Sequence, residues 1–410
     1  MRERLKSLGP GLLVTAAFIG PGTVTTSSVA GTSFGFALLW AVLFAIFATI
    51  VLQEMAARLG VVSREGLGEA LRTTFQSPLF KILAVLLVIV ALGLGNTAFE
   101  IGNITGAALG LESLSGVSPQ LWAVVIGVVA FALLASGRYK VIERVLVALV
   151  ILMSVLFVVT AVFVLRPADV GNLLSGMFVP GIPSGSLVTV IALIGTTVVP
   201  YNLFLHASSV QEKWPESVPT RRALAESRFD TSLAIIIGGL ITAAIVATAA
   251  AAFFGTGTEI TDGATMAEQL EPLLGPAAKY AFAFGLLAAG LTSAITAPLA
   301  TAYAISGVVG WERDLSSLRF RLVWAAVLVI GTILSALGQN PVAIIVLAQA
   351  ANGILLPVIA IFLLVVMNRS DLLREYRNGP VTNILGIVVV LIASGLGIFR
   401  FLQVVGVVPS

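Results

Sequence analysis

The chain reads as an all-α membrane protein of eleven transmembrane helices, built as two inverted sets of five with one helix beyond them. Three observations predict this: the bulk hydropathy, the number and length of the apolar runs, and a matching Gly/Pro interruption in the first and sixth runs. Apolar residues make up 58% of the 410 positions and charged residues 10%, with a mean hydropathy of +1.06, a balance that a water-surrounded domain does not carry. The net charge of +3 does not signal nucleic acid, because Lys and Arg sit in short loops between apolar runs, where they orient a membrane protein. Zero cysteines remove disulfides, zinc-thiolate sites and iron-sulfur clusters, and the single histidine, His206, removes any two-histidine metal centre. There is also no His-Glu-x-x-His and no Gly-x-Ser-x-Gly elbow. The sequence therefore predicts no enzyme, no resident cofactor, no nucleic-acid partner and no obligate protein partner beyond the lipid bilayer.

The apolar runs fall at residues 11–35, 37–59, 79–110, 120–135, 141–165, 186–210, 229–254, 280–309, 320–338, 342–367 and 383–403. Each is near the ~20 residues that a helix needs to cross. With a cytoplasmic N-terminus and an outer C-terminus, all Lys and Arg except Arg166, Lys279 and Arg400 fall on the inner side, and losing one span would scramble every later loop. The outer loop 255–279 is acidic, with Glu259, Asp262, Glu268 and Glu271. Arg2, Arg4 and Lys6 ahead of Gly9-Pro10 imitate a signal-peptide start, but no small-residue cleavage site follows, so the segment is expected to be retained.

Gly20-Pro21-Gly22-Thr23 interrupts span 1 and Val199-Pro200-Tyr201-Asn202 interrupts span 6. Each break stands mid-span in the first helix of a five-helix set, residues 11–165 and 186–367, and an odd number of helices per set inverts the second copy. Span 11, residues 383–403, lies outside the repeat of this single transmembrane domain, 1–410. Transporters built from inverted repeats have this layout, with broken helices meeting near the bilayer midplane. Pro and Gly are also common in ordinary membrane helices, so Pro298 and Pro357 are read as kinks.

The chain resembles the Nramp family of divalent-metal transporters, on the fold shared with the bacterial leucine transporter, over nearly its whole length. The matching segments are Gly20-Pro21-Gly22-Thr23 through Ala30-Gly31, Phe34-Gly35 to Leu38-Leu39-Trp40, Gly106-Ala107-Ala108-Leu109-Gly110-Leu111, Gly195-Thr196-Thr197-Val198-Val199-Pro200-Tyr201-Asn202 through His206, Ala289-Gly290-Leu291-Thr292-Ser293, and Leu347-Ala348-Gln349. The resemblance implies a prokaryotic cytoplasmic-membrane location and alternating access, in which spans 1, 2, 6 and 7 rock against spans 3, 4, 8 and 9. The family's first-helix motif is Asp-Pro-Gly-Asn and its sixth-helix motif Met-Pro-His, with Asp, Asn and Met binding the metal. This chain has Gly20, Thr23 and Val199 there, Tyr201 for the histidine, and Asn103 where the family has an acid, while Glu100 keeps its acidic position. The usual metal ligands and most of the usual proton route are absent.

From the residues alone, two substrate readings stay open. Breaking a helix exposes amide N–H groups at the start of the next half-helix, which favours an anion once no aspartate competes. The leading expectation is a secondary transporter of a small anion such as bicarbonate, coupled to sodium. The alternative is a divalent cation, Mg2+ or Mn2+, bound largely hydrated by carbonyls, Thr23, Asn202 and Gln349. Either way the substrate-binding residues are Gly20, Pro21, Gly22, Thr23, Val199, Pro200, Tyr201, Asn202 and Gln349. A coupling ion would use Thr292 and Ser293 with backbone near Ala17 and Gly20, as the resemblance implies. Glu100, Asn103 and His206 are candidates for a gate or proton relay, Glu54 is expected to pair with Arg58 at i+4, and His206 is expected to be held by a helix neighbour.

Overall fold

The computed structural model describes residues 9–11, 15, 18–74, 77–136, 140–311, 317–338 and 340–404, without the side chains of residues 80, 140–145, 401 and 404. Among the described residues there are no strands, and ten helices are long and apolar enough to cross a membrane. Span 2 is Leu39–Ser63, span 3 Pro78–Ser115, span 4 Pro119–Ser136, span 5 Lys140–Val164, span 7 Thr220–Phe253 and span 8 Ala278–Val309. Spans 9, 10 and 11 are Leu318–Leu337, Pro341–Met367 and Pro380–Val404. Span 6 is two half-helices, Leu187–Thr197 and Pro200–Lys213. Span 1 completes the set as the half-helix Pro21–Phe34, entered through a bend at residues 19–20.

Proline and glycine mark the ends. Pro21, Pro78, Pro119, Pro200, Pro341 and Pro380 each open a helix, where the missing N–H costs no hydrogen bond and the fixed φ is already helical. Gly35, Gly116 and Gly310 close helices at φ 59°, 68° and 83°, the left-handed conformation that lets the cap amide return to the last turn. Pro298 and Pro357 lie inside spans 8 and 10.

The apolar runs locate every span, and the differences lie at polar ends that hydropathy does not register. Span 7 begins at Thr220, ahead of its apolar start at 229. Those added turns are held by an Arg222–Glu226 ion pair at 2.8 Å and by the Trp214 indole N–H donating to Glu226 at 2.9 Å. Short helices also occupy the loops, among them Leu67–Thr74 and Asp169–Phe178.

Spans 3 and 8 pack most extensively on each other, and spans 2 and 7 and spans 4 and 9 also pair. Those are the self-matching pairs of two inverted five-helix sets. Span 10 lies against span 3 and the first half of span 6, while span 11 lies outside on span 10. The apolar stretch of span 6 is 94% buried and that of span 11 only 17%, so span 6 lies at the centre of the molecule and span 11 at its periphery.

Lipid offers no hydrophobic drive between helices, so close packing relies on small residues. Gly31 abuts the Val246 carbonyl and Ala249, Gly239 abuts Ile46, Gly290 abuts Ala107 and the Asn103 carbonyl, and Gly106 abuts Pro21. At one end, which carries Arg58, Arg64, Arg222 and Arg228 and is called the basic face below, polar side chains do the joining. Glu54 of span 2 pairs with Arg58 at 3.0 Å and with Arg228 of span 7 at 2.9 Å. Arg58 also donates to the Tyr376 carbonyl and to Asn378 Oδ1, both at 2.7 Å. Two residues beyond Arg228, the buried Asp230 carboxylate accepts the backbone amides of Gly9 at 2.9 Å and Gly11 at 2.7 Å, a favourable place for an acid at the start of a helix.

Candidate functional site

At the first break, Gly20 is extended (φ −118°, ψ −174°) and Pro21 opens the half-helix. The Gly20 amide donates to the Phe18 carbonyl at 2.9 Å, and the Gly20 carbonyl accepts from Val24 at 3.2 Å to begin the new helix. At the second break, the Val198 amide closes one half-helix on the Ile194 carbonyl at 2.8 Å. Val199 is extended (φ −85°, ψ 119°), and Pro200 opens the other half.

Thr23 joins the two breaks. Its hydroxyl donates to the Phe18 carbonyl and lies 2.8 Å from the Thr196 hydroxyl. A hydroxyl has one proton, so Thr196 donates to Thr23, and both hydroxyls are committed to holding the broken ends together.

The unpaired groups are different side chains. Asn202 and Gln349 are fully buried, and neither the oxygen nor the nitrogen of either carboxamide has a hydrogen-bond partner. The Gln349 side chain fills the space where Gly22 lacks a Cβ, and it also faces Gly102 of span 3, whose Cβ position lies 3.2 Å from Nε2. A Cβ on Gly20 would lie 3.2 Å from Ser293 Oγ and 3.9 Å from Asn103 Oδ1, which brings spans 3 and 8 to the first break. Asn103 Oδ1 is buried and unpaired, while its Nδ2 donates to Glu100 Oε2 at 3.2 Å. Glu100 is fully buried with Oε1 unpaired, and its chain lies against Gly331 of span 9. Tyr201 is buried with its phenol unpaired and its ring edge-on to Phe99, with centroids 5.7 Å apart.

Most buried polar groups in proteins find a partner. The unpaired carboxamides of Asn202 and Gln349, with the unpaired oxygens of Asn103, Glu100 and Tyr201, therefore make the two breaks the candidate site. Among the described residues no group of three or more His, Cys, Asp and Glu could hold a metal, so the site offers neutral oxygens in place of a carboxylate cage.

Of the coupling-ion set, Gly20 and Ser293 meet as described. The Thr292 hydroxyl turns back to the Ala288 carbonyl one turn away, and Ala17 lies outside the described residues. His206 is fully buried, with Nδ1 2.8 Å from Gln53 Oε1 of span 2 and Nε2 3.3 Å from the Thr231 hydroxyl of span 7. With Nδ1 donating and Nε2 accepting, a neutral ring satisfies both, so His206 clamps spans 2, 6 and 7 together. Glu54 pairs with Arg58 as its spacing predicts. The sequence reading missed Asn352, Gln53 and Asp230. The available signal was their polarity, since a polar residue at membrane depth is a candidate by default.

The breaks, the inverted pairing and the orphaned mid-span groups define a transmembrane transporter built from inverted repeats. The profile described as "Natural resistance-associated macrophage protein-like" matches residues 11–403. The chain is 31% identical over 407 residues to a divalent metal cation transporter MntH of Aeromonas hydrophila, covering 98% of this chain and 97% of that one. It is 30% identical over 404 residues to the MntH of Yersinia pestis, covering 98% and 95%. The chain belongs to the Nramp family. In fold it resembles the Eremococcus coleocola manganese transporter solved with an aromatic bis-isothiourea substituted compound, at a TM-score of 0.77 and 22% identity, covering 100% of this chain and 89% of that one. It also resembles MhsT in complex with L-phenylalanine, at a TM-score of 0.61 and 17% identity, covering 96% and 98%.

These relatives overturn the expectation of a bicarbonate carrier, because they carry the name of divalent metal cation transporters across almost the full length of the chain. The anion expectation treated the loss of aspartate and methionine as loss of cation affinity and the half-helix amides as the main feature left. In the structure the Thr23 hydroxyl counted as an anion donor is spent on a backbone carbonyl, while the groups left unpaired, the carboxamides of Asn202 and Gln349 and the hydroxyls of Thr25, Thr26 and Ser27, carry oxygens that can accept or ligate as well as protons that can donate.

Proposed function

We propose that this protein carries a divalent metal cation, Mg2+ or Mn2+, across the membrane by alternating access, holding the ion with much of its water at the two breaks. The observation that carries the reading is the set of buried, unpaired oxygens of Asn103 beside Gly20, of Gln349 beside Gly22, and of Asn202 in the first turn after the second break. Neutral amide oxygens are hard ligands that suit Mg2+ and Mn2+ over softer metals. Mg2+ gives up its waters reluctantly and keeps several in most sites, so amides that accept from or donate to those waters replace direct charged ligands. Glu100, joined to Asn103, supplies a carboxyl group within the same cluster to offset cationic charge. Gln349 from span 10, Asn202 from span 6, and Gly20 and Gly22 from span 1 each belong to a different helix, so a rocking motion would assemble and disperse the ligands together. We place the basic face in the cytoplasm, on the asymmetry of Lys and Arg.

The test is uptake into proteoliposomes of purified protein, read with an internal Mg2+-sensitive dye and, separately, by Mn2+ quenching. Saturable uptake is expected, and Asn202→Ala should cut it roughly tenfold, as loss of ~1.4 kcal/mol at the ligand would. Folded wild-type protein that moves neither ion would overturn the proposal.

A further inference from the structure

We propose that Asn352 forms a second station for the transported cation, between spans 3 and 10 and nearer the basic face than the breaks; the inference rests on the cation reading above. Asn352 follows Gln349 by three residues on span 10, the spacing that puts both on one face of a helix about 4.5 Å apart along the axis. It is fully buried, and both its Oδ1 and its Nδ2 lack partners. Opposite it stands Gly95 of span 3, whose Cβ position lies 3.1 Å from Asn352 Oδ1 and 3.1 Å from Leu355 Cδ1. Two turns along span 3, Gly102 faces Gln349 in the same way. Spans 3 and 10 thus share a seam in which bare backbone on one side meets a carboxamide on the other, twice.

A structural role for Asn352 would give its amide a protein partner. The neighbouring Asn96 shows what that looks like, donating to the Thr301 hydroxyl of span 8 at 2.6 Å. Asn352 has no such partner, although an orphaned amide at this depth is unfavourable. Pro357 adds a further acceptor, because it lacks the amide that would close on the Gly353 carbonyl one turn back. A neutral carboxamide and a backbone carbonyl hold a hydrated dication weakly, and weak successive sites allow an ion to move on from a first station. Span 10 ends at Met367, whose carbonyl accepts from Asn378 at 2.8 Å beside Arg58, so Asn352 lies on the way from Gln349 to the basic face.

The experiment compares wild type with Asn352→Leu and Gly95→Ala in the proteoliposome assay, with Mg2+ binding to detergent-solubilised protein measured by calorimetry. Asn352→Leu fills the station with hydrocarbon, and Gly95→Ala intrudes on it from the opposite wall while favouring the helix. Each is expected to lower the maximal Mg2+ uptake rate about tenfold, equivalent to ~1.4 kcal/mol on the barrier, with the calorimetric affinity at the breaks retained. Wild-type uptake in folded Asn352→Leu or in folded Gly95→Ala overturns the station, as does an equal loss of affinity and rate, which would make Asn352 part of the first site. Absence of flux in the wild type itself would fall on the cation reading instead.

Discussion

At the scale of single residues, Gly20 sets the character of the site by what it lacks. Its Cβ position lies within reach of Ser293 Oγ and Asn103 Oδ1, so an aspartate there would place a carboxylate among neutral oxygens. Gly20→Asp is expected to tighten Mn2+ binding by tenfold or more, ~1.4 kcal/mol or above, since it adds a charged oxygen ligand to a neutral set, and to slow Mg2+ turnover by holding the ion too firmly. Competition between the two ions in calorimetry and uptake checks this, and unchanged Mn2+ affinity would mean that the ion binds away from Gly20. The residues at the breaks were legible in the sequence because Gly-Pro and Val-Pro inside apolar runs have few other uses. The substrate was not, because an absent aspartate says only which ligand is missing. That Thr23 turns to Phe18 and Thr196 while Asn202 stays unpaired depends on rotamers that residue types do not determine.

Among the helices, span boundaries were readable to within a turn wherever Pro opens them, whereas span 3, read to residue 110, continues to Ser115 before Gly116 closes it. They were unreadable where a helix continues into water, as span 7 does from Thr220. Side-chain links between spans were the least legible, since nothing in the spacing pairs His206 with Gln53 or Asp230 with Gly9 and Gly11. These links can be weighed: interhelical hydrogen bonds in membranes average about 0.6 kcal/mol, whereas bonds to a buried charge reach about 1.5–3 kcal/mol. Asp230 should therefore matter more to helix docking than His206. Asp230→Asn, which keeps the shape but replaces one acceptor by a donor facing a backbone amide, is expected to lower the melting temperature by several degrees and to speed hydrogen exchange at Gly9 and Gly11. His206→Phe should change the melting temperature less. The reverse order would show that the first span is held by packing alone.

For the molecule as a whole, the proton machinery that the family resemblance implies is largely dismantled. Asn103 stands in place of an acid, Tyr201 in place of a histidine, and the one histidine present is bonded at both ring nitrogens. Metal uptake is therefore expected to run down its own electrochemical gradient. An imposed pH gradient should leave initial Mg2+ uptake within about twofold, less than the ~1.4 kcal/mol that a tenfold effect represents, and a pH dye inside the vesicles should report no metal-dependent acidification. Metal-dependent acidification would assign the remaining acid, Glu100, a carrier role. Neighbouring positions on span 7 hold the other members of its group: Arg228 grips span 2, Asp230 grips the start of span 1, and Thr231 grips His206 of span 6. A hinge needs one side to yield, and with the basic ends of four helices riveted to a single turn the yielding must happen elsewhere. Under the alternating access proposed above the group would swing as one piece, and the bare backbone of Gly106 beneath the Pro21 ring is where it would slide past span 3.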